Sequence, residues 1–244
     1  MRSFLFIISF IVLCGCGGGN RFMMSDNFEY IPVRGGNYTL ATWQKIQNNN
    51  FPLHVYIEGD GHSFFADGRP SPDPTPRDSF VRDLATNDTY DNVVYIARPC
   101  QFIMDNSCNF HDWTDARFSA DKIESTATTI KQIAGSRPVV LIGYSGGAMI
   151  SGLVIQNHPE INVQKWITVA GVLNHHDWTE YMGDTPLIKS LDLVALPNVP
   201  QTHYVGAKDS TVPIELSKKW IPANAIKIID NATHNRFDNL QLDL

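Results

Sequence analysis

The sequence has few cysteines, no cluster of basic residues and no hydrophobic run long enough to cross a bilayer. Four cysteines among 244 residues are too few for a scaffold built on disulfides. The net charge of −6 argues against nucleic-acid binding, because neutralising phosphates requires clustered lysine and arginine. The periods of solenoids and coiled coils are missing as well. A hydrophobic content of 43% is sufficient for a buried core, so we expect a globular protein. A monomer is expected, although composition does not determine the oligomeric state.

The first residues have the pattern of a secretory leader. Arg2 precedes an apolar run from Phe4 to Leu13, which is shorter than the roughly 20 residues of a membrane-spanning helix and fits a signal peptide. The following Leu13-Cys14-Gly15-Cys16 resembles the Leu-x-Gly-Cys lipobox of bacterial lipoproteins. The resemblance implies cleavage before Cys16 and lipidation of its thiol. An ordinary signal peptide cut near Gly17 is the alternative.

This resemblance divides the chain into residues 1–15 as a lipoprotein signal peptide, 16–27 as a tether and 28–244 as one folded domain. The residue after Cys16 is not aspartate, so by analogy with Gram-negative lipoproteins the signal for inner-membrane retention is missing. We therefore expect a lipid-anchored protein of the bacterial cell envelope, on the periplasmic face of the outer membrane.

Two further cysteines, Cys100 and Cys108, lie eight positions apart. An oxidising periplasm would allow them to form a disulfide that closes a small loop, and two free buried thiols are the alternative. Neither cysteine belongs to a spacing that is typical of zinc ligands, so no metal site is predicted.

Strand-like and helix-like segments alternate along the rest of the chain. Strands are predicted at residues 53–57, 92–97, 139–142, 166–170, 202–206 and 225–229, after a hairpin of 28–33 and 38–43. Helices are predicted at residues 121–134, 146–157 and 214–220. This alternation predicts an α/β fold, with a mostly parallel, twisted central sheet and helices on both faces. Residues 174–200 lack a clear period and could form a small cap.

One motif in this pattern carries chemistry. Gly143-Tyr144-Ser145-Gly146-Gly147 matches G-x-S-x-G, directly after an apolar strand and before a helical segment. The glycines permit a tight strand-to-helix turn that presents the Ser145 hydroxyl at the carboxyl edge of the sheet. The helix N-terminus adds partial positive charge where an oxyanion would develop. A glycine-rich turn with an idle serine is the alternative.

A serine nucleophile needs a base and an acid to orient that base. Where G-x-S-x-G occurs in α/β-hydrolases, the acid and then the histidine follow along the chain. Asp209 and His234 each follow a predicted strand, which places both at the same edge of the sheet as Ser145. His203 falls within a strand and is expected to be structural, whereas His175 and His176 could line a pocket from residues 174–200.

Two backbone N–H groups are expected to bind the oxyanion. One is that of Gly146, and the other should come from Glu58-Gly59-Asp60-Gly61 after an early strand. The Asp60 N–H is the first candidate, and the Gly61 N–H is the second. A carboxylate beside an oxyanion is unfavourable, so the Asp60 side chain is expected to point away and to bond to the backbone. A simple turn is the alternative.

Over roughly residues 28–240 the chain resembles the α/β-hydrolase superfamily, and more narrowly a group of bacterial cell-envelope α/β-hydrolases. The narrower resemblance lies in Tyr56–Gly61, Asp73–Pro76, Ala97–Gln101 and Trp113–Ser119. The resemblance implies a Ser145–Asp209–His234 triad and no cofactor. Arg98 and Arg117 lie in these segments, where they could pair with internal carboxylates or bind an acidic group of a substrate.

These features predict a serine hydrolase that acts on a small-molecule or lipid-like acyl substrate. A carboxylic ester is the expected bond, because no large cap that could select peptides is present in the sequence. A peptidase or a thioesterase on the same triad is an alternative within enzymes. A binding lipoprotein that keeps the fold with an inert triad is the alternative outside them.

Overall fold

The computed structural model describes residues 24–244, so the predicted signal peptide and Cys16 lie outside the described residues. The strands are β1 Glu29–Tyr30, β2 Val33–Gly35, β3 Tyr38–Leu40, β4 Thr42–Ile46, β5 Leu53–Ile57, β6 Asn92–Ile96, β7 Val139–Tyr144, β8 Val163–Val169, β9 Gln201–Gly206 and β10 Ile226–Ile229. The helices are α1 Phe80–Asn87, α2 Ala120–Ala134, α3 Gly146–Asn157, α4 His175–Met182 and α5 Ile214–Trp220.

Eight of these strands form one sheet in the order β1-β4-β6-β5-β7-β8-β9-β10. The pairs from β6 to β10 are parallel, and only β1 and β4 at one edge run antiparallel to their neighbours. This mostly parallel sheet confirms the predicted fold class. Because parallel strands end at the same edge, the loops after β5, β7, β9 and β10 meet there.

The central strands are buried on both faces. Every residue of β5, β6 and β7 is buried, as expected for strands of a parallel sheet that is covered on both faces. On one face, Ile123 of α2 and Leu153 of α3 belong to the core cluster. On the other face, Val81 of α1 and Phe237 near the C-terminus pack into a second cluster. The sheet is therefore a middle layer covered by side chains on both faces. The loops at its carboxyl edge extend from a well-packed framework.

The predicted N-terminal hairpin is present but shorter than expected. Only β2 and β3 form it, with Gly35 opposite Tyr38 and Gly36 at a φ of +62° in the turn. The outer parts of the predicted strands, β1 and β4, instead pair with each other at the edge of the central sheet. Pro32 stands between β1 and β2 and has no N–H to continue a ladder, which explains the division.

Helices α1 and α4 were not predicted from the sequence. Both have only eight residues, which leaves few positions to show a period, and α4 lies in the stretch 174–200 that was expected to be irregular. Helix α4 begins where Asn174 accepts a hydrogen bond from the Asp177 N–H at 2.7 Å, and it ends at Gly183 with a φ of +70°. The region predicted as a possible cap therefore holds one short helix followed by coil. Among the helices from residue 24 onward, none has both the length and the apolar character needed to cross a bilayer.

Candidate active site

Ser145 lies on a tight turn between β7 and α3. Its backbone has a φ of +50°, an unfavourable conformation for a residue with a side chain. The glycines on either side are required sterically, because a Cβ on Gly143 would lie 2.5 Å from the Gly147 carbonyl oxygen, and a Cβ on Gly147 would lie 2.4 Å from that of Ile57. The predicted turn is thus present, with Ser145 at the carboxyl edge of the sheet.

The structure brings Ser145, His234 and Asp209 together as a chain of hydrogen bonds. His234 Nε2 lies 3.0 Å from Ser145 Oγ, and His234 Nδ1 lies 2.9 Å from Asp209 Oδ2. Asp209 follows β9 and His234 follows β10, as the sequence predicted. The Asp209 carboxylate is fully buried, and ionised it can only accept hydrogen bonds. Nδ1 therefore carries the proton, which leaves Nε2 free to accept one from the serine hydroxyl.

The loop after β5 passes directly beside the serine. A Cβ on Gly59 would lie 3.0 Å from Tyr144 Cδ1 and 3.1 Å from Ser145 Cβ, so any side chain at this position would crowd the serine. Within residues 24–244, neither the Asp60 N–H nor the Gly146 N–H donates a hydrogen bond. Both N–H groups are therefore available to bind an acceptor, which is a property that an oxyanion hole requires.

The Asp60 side chain differs from the prediction, which had it bonded to the backbone. Its carboxylate instead accepts a hydrogen bond from Arg117 Nη1 at 2.6 Å and another from Arg98 Nη1. Burial would raise the pKa of this carboxyl, but the Arg117 and Arg98 guanidiniums hold it below its ordinary value. The two arginines thus pair with an internal carboxylate. Pairing with an internal carboxylate was one of the two roles expected for these arginines. The contacts join residues 38 and 57 positions apart, so their spacing does not identify Asp60 as the partner.

Glu58 is a site residue whose chemistry the sequence analysis did not single out. It is buried and lines the cleft beside Ser145. One carboxylate oxygen accepts from the Gly59 N–H at 2.8 Å, and the other from the Tyr95 hydroxyl at 2.7 Å. Burial raises its pKa to about 7, against the opposing effect of these two hydrogen bonds. Its signal in the sequence was an acidic residue directly after a predicted strand that is mostly apolar.

The cleft above these residues has a volume of about 330 Å³. Ser145 and His234 line it together with an apolar wall. That wall is formed by Phe64, Phe118, Val172, Trp178 and Leu187. Trp178 of α4 also donates a hydrogen bond to the Thr211 carbonyl at 2.7 Å, so the short cap is tied to the loop that carries Asp209. The cleft can hold an apolar group of modest size next to the serine.

The remaining histidines lie outside the Ser145 hydrogen-bond chain. His203 bonds to Thr168 Oγ1 at 2.8 Å and to Gln201 Oε1 at 2.9 Å within the sheet, and burial lowers its pKa to about 4. This is the structural role predicted for it. His175 is buried with its ring 5.9 Å from that of Phe118, and His176 is exposed. Neither lines the cleft, so the expectation that they could do so is wrong.

Metal-ligand atoms also come together on the outer side of α4. One atom each of His176, Asp177 and Glu180 lie within 4.8 Å of one another. Asp177 is already bound by Lys219 at 2.6 Å and by the Trp220 indole at 2.8 Å. The Asp177 carboxylate therefore forms an ion pair that joins α4 to α5.

Disulfide pairing agrees with the prediction. Cys100 and Cys108 are joined by a disulfide bond, with their Cα atoms 5.7 Å apart. The closed loop begins directly after Arg98 and Pro99 and contains Gln101. It therefore adjoins the residues that contact the Asp60 loop.

No protein-family model and no curated protein sequence matches the chain, but solved structures do. An α/β serine hydrolase homologue from Coxiella burnetii has 17% identity and a TM-score of 0.53, over 88% of this chain and 91% of that one. A serine hydrolase without a lid from Xanthomonas campestris has 13% identity and a TM-score of 0.51, over 86% of both chains. An acylaminoacyl peptidase from Pyrococcus horikoshii has 13% identity and a TM-score of 0.56, over 86% of this chain and 38% of that one. At these identities the likeness is one of fold, and the chain has the α/β-hydrolase fold.

Proposed function

We propose that the protein is a serine hydrolase that cleaves a carboxylic ester through an acyl-enzyme. The observation that carries this proposal is the unbroken hydrogen-bond chain from Ser145 Oγ through His234 to the buried Asp209. A serine hydroxyl within 3.0 Å of an imidazole nitrogen has a base in reach of its proton. An inert binding protein would have no need to keep the strained serine turn, the base and the acid in register.

The proposed reaction begins when Ser145 Oγ attacks the acyl carbonyl while His234 Nε2 takes its proton. Asp209 stabilises the imidazolium that results. The carbonyl oxygen becomes an oxyanion, which accepts hydrogen bonds from the Gly146 and Asp60 N–H groups. As the intermediate collapses, the ester bond breaks and His234 protonates the departing alcohol. Water, deprotonated by His234, then attacks the acyl-enzyme and releases the acid.

An ester is preferred over a peptide because of the cleft. Its volume of about 330 Å³ and its apolar wall suit an acyl group of modest size. The cap consists of α4 and a short stretch of coil, which offers little surface for reading an extended peptide. The substrate we propose is a small-molecule or lipid-like ester.

The location of the protein remains a proposal that rests on the N-terminal sequence. We propose that Cys16 is lipidated and anchors the domain at the periplasmic face of the outer membrane. The disulfide between Cys100 and Cys108 supports an oxidising compartment. Expression with radiolabelled palmitate tests this, with wild type labelled and Cys16→Ser unlabelled. Equal labelling of both proteins would contradict the anchor.

Turnover of model substrates tests the activity. Purified protein should hydrolyse short-chain p-nitrophenyl esters faster than a matched thioester or a peptide anilide. Ser145→Ala should abolish turnover, whereas Ser210→Ala, a nearby exposed serine, should retain it. Faster cleavage of the anilide or the thioester would indicate that this bond, and not a carboxylic ester, is the one that the protein cleaves. If none of the three substrates is turned over, the result would contradict the proposed hydrolase activity.

A further inference from the structure

Three segments that the sequence analysis associated with one another converge on a single buried ionic group. We call Asp60, Arg98 and Arg117 the Asp60 clamp. Arg117 Nη1 donates to Asp60 Oδ2 at 2.6 Å, and Arg98 Nη1 donates to Asp60 Oδ1. Arg98 Nη2 also donates to the Arg117 carbonyl, which ties the two arginines together. Their side chains are only 6% and 8% exposed, so solvent screens these contacts weakly.

The clamp acts on a loop that is fixed at its other polar groups as well. Gln101 Nε2 donates to the Gly59 carbonyl at 3.0 Å, and the Ser63 hydroxyl donates to the Asp60 carbonyl at 2.6 Å. The Gly59 N–H is held by Glu58. In contrast, the Asp60 N–H has no acceptor within residues 24–244. The loop is therefore held rigidly while this donor stays available.

The same ionic group also touches the residue that supplies the other donor. A Cβ on Gly146 would lie 2.1 Å from Asp60 Oδ1 and 2.8 Å from Arg98 Nη1. The Asp60–Arg98 pair thus lies directly against the Gly146 backbone. This contact fixes the two expected donors relative to each other.

The charge of the clamp favours an anion next to it. Two guanidiniums face one carboxylate, which leaves a net charge of +1 on the three residues. Glu58 and Asp78 also line the cleft, and Glu58 is affected by both the Asp78 carboxylate and the Arg82 guanidinium. A carboxylate alone at position 60 would oppose an oxyanion, but within the clamp the two arginines outweigh the charge of that carboxylate. A fixed positive charge with little exposure stabilises a developing negative charge more strongly than it would in water.

We propose that Arg98 and Arg117 are positioning residues that hold the Asp60 N–H as the second oxyanion donor and leave a net positive charge beside the oxyanion. This inference rests on the proposed hydrolase function and deepens it. It also explains why an aspartate, whose own charge is unsuited to the site, stands there. Its carboxylate is the group to which the two arginines bind, and through these contacts they hold the loop in place.

The test compares Arg117→Gln, Arg117→Lys and Arg98→Lys with wild type. The measurements are kcat and KM on a p-nitrophenyl ester, and inhibition by phenylboronic acid, which forms a tetrahedral anionic adduct with a nucleophilic serine. For Arg117→Gln we expect kcat to fall about 10- to 100-fold, with KM within about threefold. Phenylboronic acid affinity should fall in parallel. Arg117→Lys and Arg98→Lys should each give values between those of wild type and Arg117→Gln. Arg69→Gln, which breaks an exposed pair with Asp67, should behave as wild type.

The outcomes separate this inference from the function on which it rests. A wild type without turnover and without serine labelling would sink the proposed function itself. An active wild type beside a folded Arg117→Gln with unchanged kcat and unchanged boronic acid affinity would overturn the clamp alone. A change confined to KM would overturn it as well, because it would indicate a role in substrate binding. If Arg117→Gln does not fold, as judged by circular dichroism, an unchanged kcat in Arg117→Lys would overturn it equally.

Discussion

Asp209 holds His234 with one carboxylate oxygen and the following backbone with the other. Oδ2 lies 2.9 Å from His234 Nδ1, while Oδ1 accepts from the Thr211 N–H at 2.8 Å and from the Val212 N–H at 2.9 Å. The carboxylate is therefore fixed at both ends. Its orientation determines which nitrogen of His234 carries the proton.

Asp209→Asn should test this relationship. The amide oxygen can keep the two backbone N–H bonds, which turns the amide NH₂ toward His234. Nδ1 must then accept, the proton moves to Nε2, and His234 can no longer deprotonate Ser145. We expect kcat to fall by about 10³ to 10⁴ with the fold intact, a magnitude known for this substitution in other serine hydrolases. Steady-state kinetics measure kcat, and a thermal melt shows whether the fold is intact. A decrease in kcat of less than tenfold would contradict the role of Asp209.

Glu58→Gln should change how stability depends on pH. The pKa of Glu58 is raised from 4.5 to about 7 in the folded protein, so the folded state binds its proton more tightly than the unfolded state. This contribution to stability is present below about pH 4.5 and is lost as the pH rises through 7. Urea unfolding should give Glu58→Gln and wild type similar free energies at pH 4. At pH 8 the variant should be more stable by roughly 1–3 kcal/mol. A difference that does not change with pH would contradict the raised pKa.

Removing the disulfide should lower both stability and activity. The bond closes a loop of about nine residues, which corresponds to about 2–3 kcal/mol in the unfolded chain. That loop contains Gln101, which holds the Gly59 carbonyl, so kcat should fall several-fold. Urea unfolding and ester turnover of wild type, with and without a reductant, measure these effects. Cys100→Ser/Cys108→Ser is the control and should not respond to the reductant; an equal response in this variant would show that the reductant acts elsewhere.

The parts of the site that the sequence predicted are local in the chain. The apolar strand β7, the turn at Ser145 and helix α3 occupy adjacent residues, so their pattern fixes their geometry directly. Asp209 and His234 follow because the carboxyl ends of parallel strands share one edge. Once β9 and β10 are recognised as strands, each residue is placed at the same edge of the sheet as the serine.

The parts that the sequence missed depend on contacts between distant residues. Pairing with an internal carboxylate was one of the two roles predicted for Arg98 and Arg117, but their distances of 38 and 57 positions from Asp60 do not identify that residue as the partner. The raised pKa of Glu58 likewise arises from burial by several elements, which a sequence pattern does not measure. Short elements were the other source of error, as in the division of the N-terminal strands at Pro32.

Whether Ser145 is activated by His234 can be measured directly. Wild type is reacted with a fluorophosphonate, and the site of modification is located by peptide mass spectrometry, beside Ser145→Ala and His234→Ala. We predict one phosphonyl group on Ser145 in wild type, none in Ser145→Ala, and labelling slowed by at least about 10³-fold in His234→Ala. A folded wild type that takes up no label, or that is labelled equally fast without His234, would contradict an activated serine in this protein.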